Sequence, residues 1–169
     1  INKIMQNIIV TGGLGFIGSN LIELLLHKKF KVINIDKITY SSNFYNTQDY
    51  TKNSNYRFIK CDLNDKIKLS KIIFKYKPKG IFNLAAETHV DRSIDNPKNF
   101  INSNILGVFN LLEIFRKFSK INKKTRLIHI STDEVYGDII RGRSHEDFPY
   151  KPSSPYAASK AASDHLVSS

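Results

Sequence analysis

The sequence predicts an α/β fold built on a doubly wound parallel sheet. Short apolar runs rich in β-branched residues alternate with longer amphipathic stretches along the chain. Such near-regular alternation is typical of βαβ units. The short runs are apolar throughout, as expected for parallel strands that are buried on both faces. With 169 residues, the chain is long enough to form one domain with a substantial core.

Each predicted element follows from the spacing of its apolar residues. The five predicted strands are residues 7–11, 31–35, 57–60, 80–84 and 126–131, and the predicted helices are residues 16–27, 66–76, 99–118 and 154–167. The first helix is expected to bury one face, formed by Ile17, Leu21, Leu24 and Leu25. Ser154 is suited to cap the last helix, and Pro155 suits its first turn. Residues 137–153 carry glycine, proline and mixed charges and are predicted to form a loop.

The formal net charge of +11 has two explanations. It could mark a nucleic-acid-binding surface, or it could reflect a solvated, lysine-rich exterior. We favour the second explanation, because the basic residues are spread along the chain and no recognised nucleic-acid-binding module accompanies them. A positive field of this kind would also attract an anionic ligand.

Cysteine, histidine and hydropathy patterns narrow the class of protein further. The single cysteine, Cys61, rules out an internal disulfide, and the five histidines show no metal-ligand spacing. No apolar run approaches the roughly 20 residues that a membrane-spanning helix needs, and no signal peptide is recognised. We therefore expect a cytoplasmic protein with no metal and no membrane segment. Residues 1–4 precede the first methionine and are expected to be a flank.

A glycine-rich turn follows the first predicted strand. Its glycines fit G-x-G-x-x-G through Gly13, Gly15 and Gly18, or G-x-x-G-x-x-G starting at Gly12. Between a strand and a helix, this pattern indicates a dinucleotide site, because the missing Cβ atoms allow the backbone to approach a pyrophosphate. Asp36 lies 18 residues beyond Gly18, at the end of the second strand, where a carboxylate binds ribose hydroxyls and repels a 2′-phosphate. A Rossmann-like fold that prefers NAD to NADP is therefore expected.

Two further groups of residues could carry chemistry. Tyr156 and Lys160 stand four residues apart and so share one helical face. A nearby ammonium lowers a tyrosine pKa, which would make the phenol a usable base for a hydroxyl proton. Asp133 and Glu134 follow the fifth strand, where they could divide acid and base roles or simply cap local backbone. Asp62, at the end of the third strand, could approach an adenine.

Several segments together resemble one enzyme family. Residues 11–18 with Tyr156 and Lys160 are similar to extended short-chain dehydrogenase/reductases. Segments 36–40, 83–93, 131–137 and 152–161 resemble the dTDP-glucose 4,6-dehydratases within that group. The most discriminating residues are Asp133 and Glu134, because related epimerases and decarboxylases usually lack this pair. Ser42 departs from the family pattern, where glycine is expected.

The resemblance implies NAD as the cofactor, a nucleoside-diphosphate glucose such as dTDP-glucose as the substrate, and three sets of site residues. The implied catalytic set is Thr132, Asp133, Glu134, Tyr156 and Lys160. The implied cofactor set is Gly12, Gly15, Phe16, Ile17, Gly18, Asp36, Lys37, Asp62, Leu63, Leu84, Ala85, Ala86, Tyr156 and Lys160. The implied substrate set is Thr88, His89, Ser93 and Thr132.

The implied reaction yields a 4-keto-6-deoxy sugar in three stages. Tyr156 takes the C4 hydroxyl proton as hydride leaves C4, Glu134 and Asp133 remove water across C5 and C6, and hydride returns to C6. Family members are about twice as long, and the last predicted helix has no cap. We therefore expect residues 1–169 to be an incomplete NAD-binding domain that lacks the C-terminal sugar-nucleotide part and is homodimeric at full length. The alternatives are a UDP-sugar epimerase or decarboxylase, or an inactive NAD-binding fragment.

Overall fold

A computed structural model describes residues 5–169, and the expected flank, residues 1–4, lies outside them. All strand pairings in the sheet are parallel. The strand order is β3-β2-β1-β4-β5, so the direction of winding reverses between β1 and β4. The strands are β1 (Asn7–Thr11), β2 (Lys31–Asp36), β3 (Tyr56–Lys60), β4 (Gly80–Asn83) and β5 (Arg126–His129). This arrangement confirms the predicted α/β class and parallel sheet.

The helices match the predicted order but are more finely divided. Their bounds are α1 (Phe16–His27), α2 (Lys66–Tyr76), α3 (Val90–Asp95), α4 (Pro97–Phe100), α5 (Gly107–Ile121) and α6 (Pro155–Ser168). A π-helical turn, Ile101–Leu106, joins α4 to α5. The single helix predicted over residues 99–118 is therefore longer than expected, and the π-helical turn interrupts it. Two short 3-10 helices, Phe44–Tyr50 and Asp133–Tyr136, lie in segments where no helix was predicted. They contain too few residues to show a periodic pattern of apolar side chains.

Helices cover both faces of the sheet. Successive strand residues point to opposite faces, so Ile8 and Val10 pack with α1 while Ile9 between them packs with α2 and α5. The helical contribution on the α2 and α5 side comes from Leu69, Ile72, Ile73, Leu111, Ile114 and Phe118. These two layers leave the carboxyl edge of the sheet as the place where a ligand can meet several strands at once.

The predicted buried face of α1 is wrong at two positions. Ile17 and Leu24 are 61% and 53% exposed, whereas Leu25 is buried as expected. The helix instead approaches the sheet through Gly18 and Ser19, and this contact rotates the buried stripe to the residues that follow, Ile22, Leu25 and Leu26. Hydrophobic spacing alone did not anticipate the rotation, because the closest contact is made by small residues.

The N-terminus of α6 is built as the sequence indicates. The Ser154 side chain accepts a hydrogen bond from the Ala157 amide at 3.0 Å, and Pro155 occupies the first turn.

Across residues 5–169, no helix combines the length and the hydropathy needed to cross a membrane.

Candidate active site

A cavity of about 470 Å³ lies over the carboxyl ends of the strands, at the point where the winding reverses. Its floor is the glycine turn between β1 and α1, and its walls come from the ends of β2, β3 and β4 and from α6. Ligands in open α/β sheets bind at such a crevice. A cavity of this volume is also within the usual range for small-molecule and cofactor sites.

The glycine turn forms a cradle that side chains would fill. Gly12 adopts φ +69°, and a Cβ there would stand 2.7 Å from the Ala85 amide nitrogen. A Cβ on Gly18 would lie 2.3 Å from the Gly12 carbonyl oxygen. Gly12, Gly15 and Gly18 line the cavity, whereas Gly13 is buried against Asn34. Of the two possible glycine patterns, the one starting at Gly12 therefore faces the ligand space.

The start of α1 points into this cradle. The first-turn amides of an α-helix have no intrahelical acceptor and carry the positive end of the helix dipole. Phe16, Ile17 and Gly18 contribute the first-turn amides of α1, and all three residues line the cavity. The turn and the helix together fit a pyrophosphate group.

Asp36 ends β2 and stands over the cavity with its carboxylate already oriented. Oδ2 accepts a hydrogen bond from the Leu14 amide at 3.1 Å, and Oδ1 accepts from the Ile38 amide at 2.8 Å and the Ser42 hydroxyl at 2.9 Å. Two carboxylate oxygens offer about four acceptor positions, so one remains for a ligand hydroxyl. This environment suits a ribose diol and disfavours a phosphate ester.

Tyr156 and Lys160 of α6 close the opposite wall. Both residues are buried, with 7% and 4% exposure. The Ser93 hydroxyl accepts a hydrogen bond from the Tyr156 amide at 3.1 Å, and the Phe100 ring packs edge-on against the phenol ring. The Lys160 ammonium donates a hydrogen bond to the Ile130 carbonyl, just beyond β5. The predicted pairing of these two residues on one helical face is therefore realised inside the cavity wall.

The pKa of Tyr156 does not shift in the predicted direction. Burial raises it above the usual value, a polar contact with the Thr132 hydroxyl opposes this, and nearby carboxylates, Glu134 first, raise it further. Lys160 is not among the groups that shift the tyrosine pKa, and its ammonium is held by the Ile130 carbonyl beside His129. The expectation that Lys160 lowers the pKa of Tyr156 is therefore wrong for this structure.

The acid pair lies on the 3-10 helix that follows β5. Thr132 caps this turn by accepting a hydrogen bond from the Glu134 amide at 3.3 Å. Partial desolvation raises the pKa of Glu134, and repulsion from Asp133 and Asp138 adds to the rise. Both carboxylates are exposed and act electrostatically on Tyr156. The turn therefore places a carboxylate of increased basicity near the phenol.

The structure brings the predicted cofactor residues together and divides the other two sets. Every residue of the implied cofactor set lines the cavity, and so does Thr88. Thr132, Asp133 and Glu134 stand on the adjoining turn, outside the lining, while His89 is exposed and packs its ring against Tyr40.

The expectation that Ser93 binds substrate is not met. Its side chain is fully buried. Its hydroxyl donates to the Val90 carbonyl at 2.6 Å and accepts the Tyr156 amide. Ser93 therefore supports α6 from within the core.

Some residues at the site were not predicted. Glu87 and Ser103 are two of them: Glu87 forms an ion pair with the ammonium of the predicted residue Lys37 at 3.1 Å, and the Ser103 hydroxyl accepts a hydrogen bond from it at 2.6 Å. Asn104, in the π-helical turn, clamps the Glu87 backbone and donates to Ser159 of α6. The lining residues that were missed are Ile35, Thr39, Ser41, Ser42, Cys61, Ser103, Ile130 and Ser131. Most of them follow strand ends, a signal that could have been used. No local pattern marks Ser103.

Comparison with known proteins assigns the family. The sequence model of the family described as GDP-mannose 4,6 dehydratase matches residues 9–169. The chain belongs to this family. Among curated members of similar sequence, the dTDP-glucose 4,6-dehydratase of Neisseria meningitidis serogroup B is 44% identical over 173 residues, covering 96% of this chain and 48% of that protein. The chain thus spans about half the length of the curated relatives it matches.

Solved structures share the dehydratase family's fold. The dTDP-glucose 4,6-dehydratase of Streptomyces venezuelae, crystallised with NAD and TYD, superposes with a TM-score of 0.86 at 37% identity, covering 95% of this chain and 50% of that one. A Thermus thermophilus UDP-glucose 4-epimerase in complex with NAD gives a TM-score of 0.84 at 34% identity, with 96% and 50% covered. Because a dehydratase and an epimerase match almost equally well, the fold alone does not distinguish their reactions.

Proposed function

We propose that the chain is the cofactor-binding part of an NAD-dependent dehydratase that converts dTDP-glucose to its 4-keto-6-deoxy sugar. The observation that carries the proposal is the acid pair, Asp133 and Glu134, on the turn beside Tyr156. Epimerisation needs one hydroxyl base, whereas elimination of water needs an additional acid and base. The names of the curated relatives support the same reaction.

The cradle fits a dinucleotide on grounds internal to the structure. The space that a Cβ would fill at Gly12 and Gly18, the amides at the start of α1, and the remaining acceptor position of Asp36 together suit NAD. Bound NAD supplies a hydride acceptor for C4 and a hydride donor for C6. Relatives crystallised with NAD support this cofactor.

The proposed chemistry uses five side chains near the carboxyl end of β5. Tyr156 accepts the C4 hydroxyl proton, and Lys160, on the same face of α6, binds the cofactor through its ammonium group. The Thr132 hydroxyl hydrogen-bonds the sugar near O4 in this proposal. Once C4 is a ketone, its neighbour C5–H is acidic, and Glu134 removes that proton. Asp133 then protonates the departing C6 hydroxyl.

The raised pKa of Glu134 agrees with a base role, because a more basic carboxylate abstracts a carbon-bound proton more effectively. Each proton transfer by a placed group contributes about 10²–10⁴-fold to rate. In this proposal Glu134 is the base of the elimination and Asp133 its acid, an assignment that substitution can separate.

Product analysis tests the function directly. The complete gene product is incubated with dTDP-glucose, and the products are separated and identified by mass spectrometry and NMR. Loss of one water with a keto group at C4 is expected, and Glu134→Gln serves as the matched variant that should not form this product. An epimer of unchanged mass would assign the protein to the epimerase alternative. Recovery of unchanged substrate by a folded, NAD-loaded protein would support the inactive alternative.

We also propose that the complete gene product is a homodimer. Three apolar residues on the π-helical turn and α5 are exposed: Ile101, Leu106 and Phe109. An apolar stripe on one helical stretch favours pairing with another helical surface. Sedimentation equilibrium of the complete gene product measures the state, and a concentration-independent monomer would contradict it.

A further inference from the structure

A carboxylate that the proposed mechanism does not use lies directly behind the active site. Asp164 is one helical turn beyond Lys160 on α6. It accepts hydrogen bonds from the Ser131 hydroxyl and from the Tyr150 hydroxyl at 3.2 Å, and its other oxygen lies 3.6 Å from Nε2 of His129. It is therefore held by the segment after β5 and by the loop before α6.

His129 ends β5 and connects Asp164 to the sheet. Its side chain is 4% exposed, and burial lowers its pKa to about 4, so the ring is neutral at physiological pH. The Asn83 amide donates to Nδ1 at 2.9 Å, and its carbonyl accepts from the Thr11 hydroxyl at 2.6 Å. With Nδ1 as the acceptor, the ring hydrogen is on Nε2, facing Asp164.

Lys160 has few partners that could offset its positive charge. Its ammonium donates to the Ile130 carbonyl and lies 3.5 Å from Nε2 of His129, which carries a hydrogen and cannot accept another. Within the described residues, 5–169, no carboxylate forms a direct ion pair with it. Burial lowers the pKa of Lys160, and the charge that opposes this effect is that of Asp164.

We propose that Asp164 is a positioning residue: its carboxylate, fixed by His129, Ser131 and Tyr150, keeps the buried Lys160 ammonium charged. The inference rests on the proposed function in so far as Lys160 assists Tyr156 in the oxidation of C4. The geometry that relates the two groups is their common neighbour, because Nε2 of His129 lies 3.5 Å from the Lys160 ammonium and 3.6 Å from an Asp164 oxygen.

The electrostatic consequences have a definite sign. Among residues 5–169, Tyr156 is influenced by Asp133 and Glu134 on the 3-10 turn and by Asp164 on α6. Lys160 lies beside His129 at the end of β5 and is influenced by Asp164, which the Tyr150 hydroxyl contacts. Asp164 raises the pKa of Lys160 and also that of Tyr156. Removing its charge should therefore lower both pKa values, so that the ammonium is lost at lower pH and the phenolate forms at lower pH.

The pH profile of kcat for dTDP-glucose distinguishes this role from a purely structural one. In Asp164→Asn, both limbs of the profile should move to lower pH, by about one unit. Asp95→Asn removes an exposed carboxylate that is not among the groups acting on Tyr156 or Lys160, so its limbs should stay in place. Asp164→Glu should restore the wild-type limbs in part. A uniform loss of kcat with unmoved limbs would overturn the proposal.

A measurement without turnover separates this proposal from the proposed function. The Cε resonance of Lys160, assigned with Lys160→Met, is titrated in the wild-type chain and in Asp164→Asn by NMR. The wild-type ammonium should remain charged at neutral pH, and the variant should titrate about one unit lower. If this shift occurs but the complete gene product does not turn over dTDP-glucose, the proposed function fails while Asp164 keeps its role. A wild-type Lys160 that is neutral at pH 7 would overturn the role of Asp164 even if the variant does not fold.

Discussion

At the scale of single residues, the carboxylates of this site differ mainly in what surrounds them. Asp36 is buried and accepts three hydrogen bonds from the protein, which prepares it for a neutral diol. Glu134 lies on an exposed turn, and partial desolvation, with repulsion from nearby carboxylates, raises its pKa. The same functional group is thus suited to binding in one place and to base chemistry in the other.

Asp36→Asn should weaken NAD binding about tenfold and reduce the preference for NAD over NADP. The reason is the loss of a charge-assisted hydrogen bond to ribose, worth about 1.5–3 kcal/mol, and of the repulsion toward a 2′-phosphate. Titration calorimetry with both cofactors measures the effect. The exposed Asp95→Asn is the control and should bind both cofactors as the wild type does. An unchanged preference in Asp36→Asn would remove Asp36 from the cofactor assignment.

Glu134→Gln and Asp133→Asn should have separable effects on the complete gene product. Glu134→Gln should block exchange of the C5 proton with solvent, whereas Asp133→Asn should slow water loss and leave C4 oxidation largely intact. Mass spectrometry in deuterated water follows the exchange. If both variants turn over normally, the acid pair is structural and the dehydratase proposal fails.

The raised pKa of Glu134 also predicts a pH dependence. A base works in its ionised form, so activity in the elimination step is present above the folded pKa and is lost as pH falls through it. Because that pKa is raised, the loss should begin at a higher pH than for an ordinary glutamate. A pH series of C5 exchange measures this limb. In Asp138→Asn the limb should move to lower pH, since Asp138 contributes to the rise, and an unmoved limb would contradict this cause.

At the scale of secondary-structure elements, contact between the glycine turn and β4 sets how closely α1 can approach the sheet. Gly12 and Gly18 each occupy a position where a Cβ would overlap backbone atoms. Backbone atoms cannot move aside as a flexible side chain can, so the cradle tolerates no larger residue there. The exposed position of Ile17 and the burial of Ser19 follow from this close approach.

Gly18→Ala should lower the free energy of unfolding by about 1–3 kcal/mol and weaken NAD binding. The added Cβ would lie 2.3 Å from the Gly12 carbonyl oxygen, so the turn must shift. Gly80→Ala is the matched control, because its Cβ would meet its nearest atom at 3.4 Å, an ordinary contact. Denaturant unfolding with and without NAD measures both variants. Equal stability of the two variants would show that the glycine turn has room for a Cβ at Gly18.

At the scale of the whole molecule, residues from several elements surround the cofactor cradle, whereas the acid pair beside the cavity faces solvent. The glycine turn, the ends of three strands and α6 all contribute lining residues. Asp133 and Glu134, however, are exposed beside the cavity. Positioning of a substrate near such exposed groups depends on binding energy from the rest of the substrate.

The chain of 169 residues, expressed by itself, should bind NAD but show little or no dehydratase activity. Positioning can supply about 7–11 kcal/mol of a barrier, and the residues described here offer few partners to the nucleotide of the substrate. A turnover assay beside the Neisseria meningitidis relative, together with NAD calorimetry, measures the two properties. Activity close to that of the relative would show that these residues hold the sugar nucleotide unaided.

Sequence spacing was sufficient wherever the cause was local. The order of strands and helices, the cap at Ser154 and the glycine turn all depend on residues within a few positions of one another, and the structure agrees with each. Asp36 was found for the same reason, since its distance from the turn is set by one βαβ unit. Short helices such as α3 escaped prediction because six residues show too little periodicity.

Only the tertiary structure decided the environments of the side chains. It buries Ser93 under α6, pairs Lys37 with Glu87, and holds Lys160 by Ile130 and His129 near Asp164. These partners are far apart in the chain or depend on the rotation of a helix. A pKa depends on desolvation and on charges within a few ångströms, and neither quantity is contained in local spacing. The sequence therefore determined which chemical groups the site contains, and the packing of β5 against α6 determined the burial and the neighbouring charges of those that lie there.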